Sequence, residues 1–118
     1  MTLTVTRTHE ISAGHRIANH GKCASLHGHN WRFEFTCESD YLDSKGMVVD
    51  FGEIKTALCE WLEVNWDHKM ILCVKDKPVV YGIGLLGMPC VAYDFEPTAE
   101  NLAHYLGAVI APAVLTSP

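Results

Sequence analysis

An α+β fold in a single domain, residues 1–118, is predicted by three features of the chain. Strict two-residue alternation runs from Trp31 to Glu38, two later segments carry apolar residues at helical spacing, and glycine-rich or polar stretches separate them. The order is strand, loop, strand, helix, connection, helix, with no internal repeat.

The elements follow in order. Thr2 to Thr8 alternates well enough for a strand, with Leu3, Val5 and Arg7 on one side. Ile11 to Asn30 holds Gly14, Gly21 and Gly28 and little periodicity, which predicts a long irregular loop of the kind that carries function. The next strand puts Trp31, Phe33, Phe35 and Cys37 on one face and Arg32, Glu34, Thr36 and Glu38 on the other, a half-buried antiparallel strand. Asp40 to Gly46 is turn-rich, and Met47 to Val49 is a short apolar run.

Asp50 reads as an N-cap with Glu53 in the capping-box position, opening a helix whose stripe is Ile54, Ala57, Leu58, Trp61 and Leu62 and whose end falls near Asn65. A second helix starts at Pro97-Thr98, with Thr98 as cap and Leu102, Tyr105, Leu106, Val109 and Ile110 as its buried stripe. Between the helices, Met70 to Phe95 reads as a long connection with one short strand within Pro89 to Phe95.

Composition narrows the function. The net charge of −5 and pI near 5.7 give no footprint for nucleic acid, and no apolar run is long enough to span a bilayer. The N-terminus reads as a strand and not a signal peptide, and five scattered cysteines without CxxC spacing suit a reducing cytoplasm. Seven histidines in 118 residues is the anomaly, because four of them fall between positions 15 and 29.

His27 and His29 are two apart and continue the odd-numbered face of the strong strand, so both imidazoles can reach one metal. His15, twelve residues earlier, can fold back as a third ligand, leaving a fourth tetrahedral position open as in catalytic zinc. A bare HxH pair is weak evidence, since locally packed loop histidines would look the same. The third histidine, the flanking glycines and the nearby Cys23 favour metal. A Cys23 thiolate there could act as base or nucleophile, and Asp67-His68 offers a carboxylate beside an imidazole for proton relay. His9, His20 and His104 lack comparable context and read as structural.

Five motifs in register carry a resemblance: Ala13-Gly14-His15-Arg16, Cys23 through Asn30, Gly46 through Phe51, Asp67-His68 and Pro97-Thr98-Ala99-Glu100-Asn101. Their order and spacing resemble the 6-pyruvoyltetrahydropterin synthase family, and the three-residue gap between Cys23 and His27 looks like its 6-carboxytetrahydropterin synthase branch, which feeds 7-deazaguanine (queuosine-type) synthesis. The resemblance implies a tunnelling fold (T-fold), an antiparallel sheet with two helices on one face, assembled as trimers or hexamers with active sites between subunits. It implies Zn2+ on His15, His27 and His29, Cys23 and the Asp67–His68 pair moving protons, and Thr98 at the pterin end of the pocket. The implied reaction converts 7,8-dihydroneopterin triphosphate to 6-carboxytetrahydropterin, acetaldehyde and triphosphate. Arg16 and Lys22 are candidate phosphate contacts on charge and position, with a solvated loop as the competing explanation.

The sequence departs from the family's pattern after the second helix. Family members continue with two more strands, the first bearing a glutamate that grips the pterin, whereas this sequence stops at Thr116-Ser117-Pro118. The expectation is therefore a T-fold lacking those strands. A non-catalytic zinc-binding protein and a sister activity yielding a 6-pyruvoyl product are the competing functions.

Overall fold

In the computed structural model, which describes residues 2–115, a long β-hairpin sets the frame. Strands β1 (Leu3–His15) and β2 (His27–Ser39) pair antiparallel from Leu3↔Ser39 to His15↔His27. The first strand does not stop near Thr8, and the loop predicted over residues 11–30 shrinks to residues 16–26. Ser12, Gly14 and Gly28 blur the hydrophobic pattern, yet the alternation persists once a histidine counts as an inward residue. Ile11, Ala13 and His15 are all buried on one face, opposite Trp31, His29 and His27.

Helix α1 (residues 51–65) opens as predicted, with the Asp50 carboxylate accepting from the Gly52 amide at 2.8 Å. It widens to a π turn over Lys55–Cys59 and ends with Glu60–Asn65. Ile54, Leu58 and Leu62 form its fully buried line. Trp66 follows at 0% exposure, its indole N–H donating to the Tyr93 hydroxyl at 2.9 Å.

The stretch read as a connection is structured. Strand β3 (Met70–Cys73), helix α2 (Lys77–Leu85) and strand β4 (Cys90–Tyr93) form a β–α–β unit, of which only the last strand was anticipated. A short run such as Met-Ile-Leu-Cys, buried without alternation, has no two-residue period to detect. Helix α2 contains two glycines and two valines, residues of poor helix propensity.

This unit also corrects the expectation of an antiparallel sheet. The order is β2-β1-β3-β4, with β3 parallel to β1 and β4 parallel to β3, so the sheet is mixed. The cause is connectivity: β3 and β4 are joined through a helix, and a helical crossover returns the chain in the same direction.

Helix α3 (residues 99–114) is capped by the Thr98 hydroxyl, which accepts from the Asn101 amide at 3.1 Å. Leu102, Leu106 and Ile110 are buried against the line of α1, but Val109, assigned to the buried stripe, is 50% exposed. It lies one step off the 102–106–110 row. The two helices cover the odd-numbered face of the hairpin, where Phe33, Trp61, Tyr93, Phe95 and Tyr105 gather around or beside Trp66. Among the described residues no strand follows α3, and Thr116 to Pro118, on which the expectation of missing strands bears, lie outside them. No described helix is long and apolar enough to cross a membrane.

Trp66 joins the sheet, α1 and α3. Trp66→Ala is expected to cost about 3–5 kcal/mol of folding free energy, read as a lowered urea midpoint.

Candidate metal centre

At the loop end of the hairpin the register stacks three imidazoles on one face. His15 lies directly across from His27, and His29 lies one inward-facing step along β2, across from Ala13. The rings meet edge-on, with centroids 4.5 Å apart for His15–His27, 5.2 Å for His15–His29 and 4.9 Å for His27–His29. Each residue offers a ligand atom within 4.8 Å of the others. Trp31 packs edge-on against both His15 and His29 and backs the cluster.

Hydrogen bonds orient two of the rings. His15 Nδ1 lies 2.7 Å from the Pro97 carbonyl, and His27 Nδ1 lies 2.7 Å from the Ser25 carbonyl. A carbonyl only accepts, so each Nδ1 carries a proton and Nε2 is the nitrogen left to ligate. His15 Nε2 is buried and has no hydrogen-bond partner. Such an orphan costs about 1–3 kcal/mol, which a bound cation would recover. Burial pushes the His15 pKa below the ordinary imidazole range; the Pro97 contact opposes this and the two neighbouring histidines add to it. The shift favours the neutral ring, the form that ligates. Donor chemistry, convergence and the orphaned nitrogen together fit a metal ion.

Asp67 and His68 sit beside this cluster on the other edge of β1. The Ser12 amide donates to Asp67 Oδ1 at 3.0 Å, the His68 amide donates to the Ser12 carbonyl at 2.6 Å, and the Gly14 amide donates to the Lys69 carbonyl at 3.0 Å. His68 Nδ1 lies 3.0 Å from Asp67 Oδ2. The Ser12 contact holds the Asp67 carboxyl below the usual carboxylate range, with His68 contributing in the same direction. His68 adopts φ +59°, a conformation uncommon for a side-chain-bearing residue and held by these backbone bonds.

His68 lines a cavity of about 710 Å³ together with His27, His29 and the even-numbered Ser12, Gly14, Gly28 and Asn30. By strand alternation those even residues face away from the imidazoles, so the cavity wraps the end of the hairpin onto the opposite face of the sheet. Met70 packs into the space beside Gly14, where a β-carbon would fall 2.3 Å from its Sδ. Met70, Ile83, Met88 and Pro89 supply an apolar wall. Their place at the site was not anticipated, since β3 and α2, which bring them there, were not recognised in the sequence. Their signal was weak: scattered apolar residues among glycines.

The remaining predicted residues are dispersed. Cys23 lies in a 3-10 turn (Gly21–Ala24), half-buried, and is not among the cavity-lining residues; Lys22 is exposed in the same turn. The Thr98 hydroxyl caps α3, one residue beyond the carbonyl that orients His15. Arg16 is committed to Asp76 through bonds of 2.7 and 3.1 Å and donates to the Ala24 carbonyl at 3.3 Å. His9 pairs with Glu63 at 2.6 Å, while His20 and His104 are exposed.

Residues 4–118 match the family described as 6-pyruvoyl tetrahydropterin synthase. The chain is 40% identical to the 6-carboxy-5,6,7,8-tetrahydropterin synthase of Rickettsia typhi, over 91% of this chain and 79% of that protein. It is 32% identical to the enzyme of the same name from Aquifex aeolicus, over 89% of this chain and 76% of that protein. A 6-pyruvoyl tetrahydrobiopterin synthase of Poecilia reticulata is 29% identical, over 96% and 76%. Among solved structures, an uncharacterized protein of Wolinella succinogenes superposes with a TM-score of 0.83 at 19% identity, over 95% of this chain and 84% of that one. The 6-pyruvoyl tetrahydropterin synthase of Caenorhabditis elegans gives 0.68 at 22%, over 98% and 81%. These likenesses establish the T-fold.

The depressed Asp67 pKa has a definite sign in stability. The contribution is present above the unfolded carboxyl value and is lost as pH falls through the lower folded value. Asp67→Asn is thus expected to destabilise by roughly 1 kcal/mol near neutral pH, with the gap to the parent closing on acidification. Urea midpoints across an acid titration check this.

Proposed function

Since the chain belongs to the 6-pyruvoyl tetrahydropterin synthase family, we propose that it is a zinc-dependent 6-carboxy-5,6,7,8-tetrahydropterin synthase. With water, 7,8-dihydroneopterin triphosphate would yield 6-carboxytetrahydropterin, acetaldehyde and triphosphate, as a step toward 7-deazaguanine (queuosine-type) products. The observation that carries the reading is the cluster of His15, His27 and His29 with a buried, partnerless Nε2, in a chain 40% identical to relatives bearing that name.

His15, His27 and His29 would hold the zinc, with Pro97 and Ser25 fixing two of the rings. Bound zinc supplies Lewis acidity toward the substrate's side-chain hydroxyls. The protein's own groups move the protons. Cys23 acts as the base in the turn ahead of His27. Asp67 orients His68 through its Nδ1 and leaves the other ring nitrogen free to give or take a proton at the cavity wall. The even-numbered wall around His68 lies on the face the imidazoles turn away from, which favours a site completed between subunits of a homo-oligomer. Thr98 and Lys22 are the candidate contacts at the pterin and phosphate ends.

The Poecilia match supports a second reading, formation of the 6-pyruvoyl product from the same substrate. Product identity separates the two. The zinc-loaded protein incubated with 7,8-dihydroneopterin triphosphate is expected to give carboxytetrahydropterin and acetaldehyde by mass spectrometry; a 6-pyruvoyl product would favour the second, and no product would sink both. Cys23→Ala is expected to keep its zinc and lose turnover by at least about a hundredfold. His27→Ala is expected to lose metal and activity together, and full zinc retention there would overturn the ligand assignment.

A further inference from the structure

The loop that carries Cys23 is tied down at a distance of sixty residues in sequence. Arg16 Nε and Nη2 donate to the two oxygens of Asp76, at 2.7 and 3.1 Å, in a bidentate pair. The third guanidinium nitrogen, Nη1, donates to the carbonyl of Ala24, the residue after Cys23, at 3.3 Å. Directly beside it, the Ile17 amide donates to the Cys23 carbonyl at 2.7 Å, and the Cys23 amide donates to the His20 carbonyl at 3.0 Å. The carbonyls of Cys23 and of the next residue, Ala24, are thereby held, one by the Ile17 amide and one by Arg16.

Asp76 shows that this pairing is built. It stands at the N-cap of α2, where an aspartate ordinarily accepts from an amide of the first turn, yet its side chain makes no capping bond. Its carboxylate is only 8% exposed and is turned onto Arg16, itself 27% exposed. The fold forgoes that cap to make this contact, on the helix that contributes Ile83 to the cavity wall.

We propose that Arg16 and Asp76 form a clamp that sets the Cys23 turn relative to the histidine cluster, so that Arg16 is a positioning residue and not a phosphate contact. This rests on the reading of Cys23 as the base. Arg16 follows His15 immediately and Asp76 leads into α2, so the pair fixes three things together: the end of β1, the Cys23 turn and the cavity's apolar wall. With its charge met by a shielded carboxylate and three of its five N–H groups engaged, this guanidinium is a poorer phosphate contact than an unpaired arginine.

The test uses Arg16→Gln, Asp76→Asn and the double variant, all zinc-loaded, against the parent. Hydrogen exchange at the Ile17 and Cys23 amides, measured without substrate, is expected to accelerate about tenfold in each single variant, with the double no faster than either, because they break one interaction. Zinc stoichiometry is expected to stay that of the parent, and kcat to fall about tenfold in each while KM moves by less than about twofold. Parent-like exchange in Asp76→Asn overturns the clamp. So does a rise in KM for Arg16→Gln coupled with a fall for Asp76→Asn, which would make Arg16 a phosphate ligand restrained by Asp76. The exchange readout needs no turnover, so it decides the clamp even where the parent yields no product. Accelerated exchange with unchanged kcat would uphold the clamp's geometry and overturn its part in positioning the base.

Discussion

Everything at the histidine cluster depends on the register of the β1–β2 hairpin. Pairing His15 with His27 and Ala13 with His29 places three imidazoles on the face that also carries Ile11, Trp31 and Phe33. Side chains alternate with a period of two, so a slip of one residue would turn the histidines of one strand away from those of the other. The same slip would expose the aromatic row of β2. The hydrophobic core and the ligand set are therefore specified by one geometric choice, and core packing enforces the site.

That coupling explains how a buried, partnerless nitrogen is tolerated. His15 sits where the core residues Ile11 and Ala13 lead it, is backed by Trp31, and has its other nitrogen fixed by the Pro97 carbonyl at the mouth of α3. The Trp66 cluster joins α1, α3 and the sheet, and Trp31, which packs on His15, also packs against that core. Desolvation favours the neutral imidazole, in edge contact with its two neighbours.

The β3–α2–β4 unit acts as a second scaffold laid against the hairpin's other edge. Backbone bonds from Ser12 and Gly14 to residues 67–69 fix the His68 position, and the parallel pairing of β3 to β1 continues from there. Asp76, at the turn between β3 and α2, reaches back to the loop between β1 and β2. The site is thus approached from both sides by elements distant in sequence, which gives rigidity to a loop of eleven residues (16–26) that has only one short helical turn of its own.

The sequence by itself determined the parts whose physics is local. Alternation set the face of β2 and the shared direction of His27 and His29; Asp50 and Thr98 marked helix starts because capping uses the chain's own next residues. The motif spacing was enough for the family. Tertiary structure alone decided the rest. β1 extends to His15 because β2 offers it partners, although Ser12 and Gly14 carry no strand signal. β3 and α2 exist through pairing and packing that their own composition does not announce, and their helical crossover makes the sheet mixed. The partner of Arg16 was equally illegible: charge and position suggested a phosphate, but a carboxylate sixty residues away reaches the guanidinium first, and no local pattern encodes a contact formed by chain return.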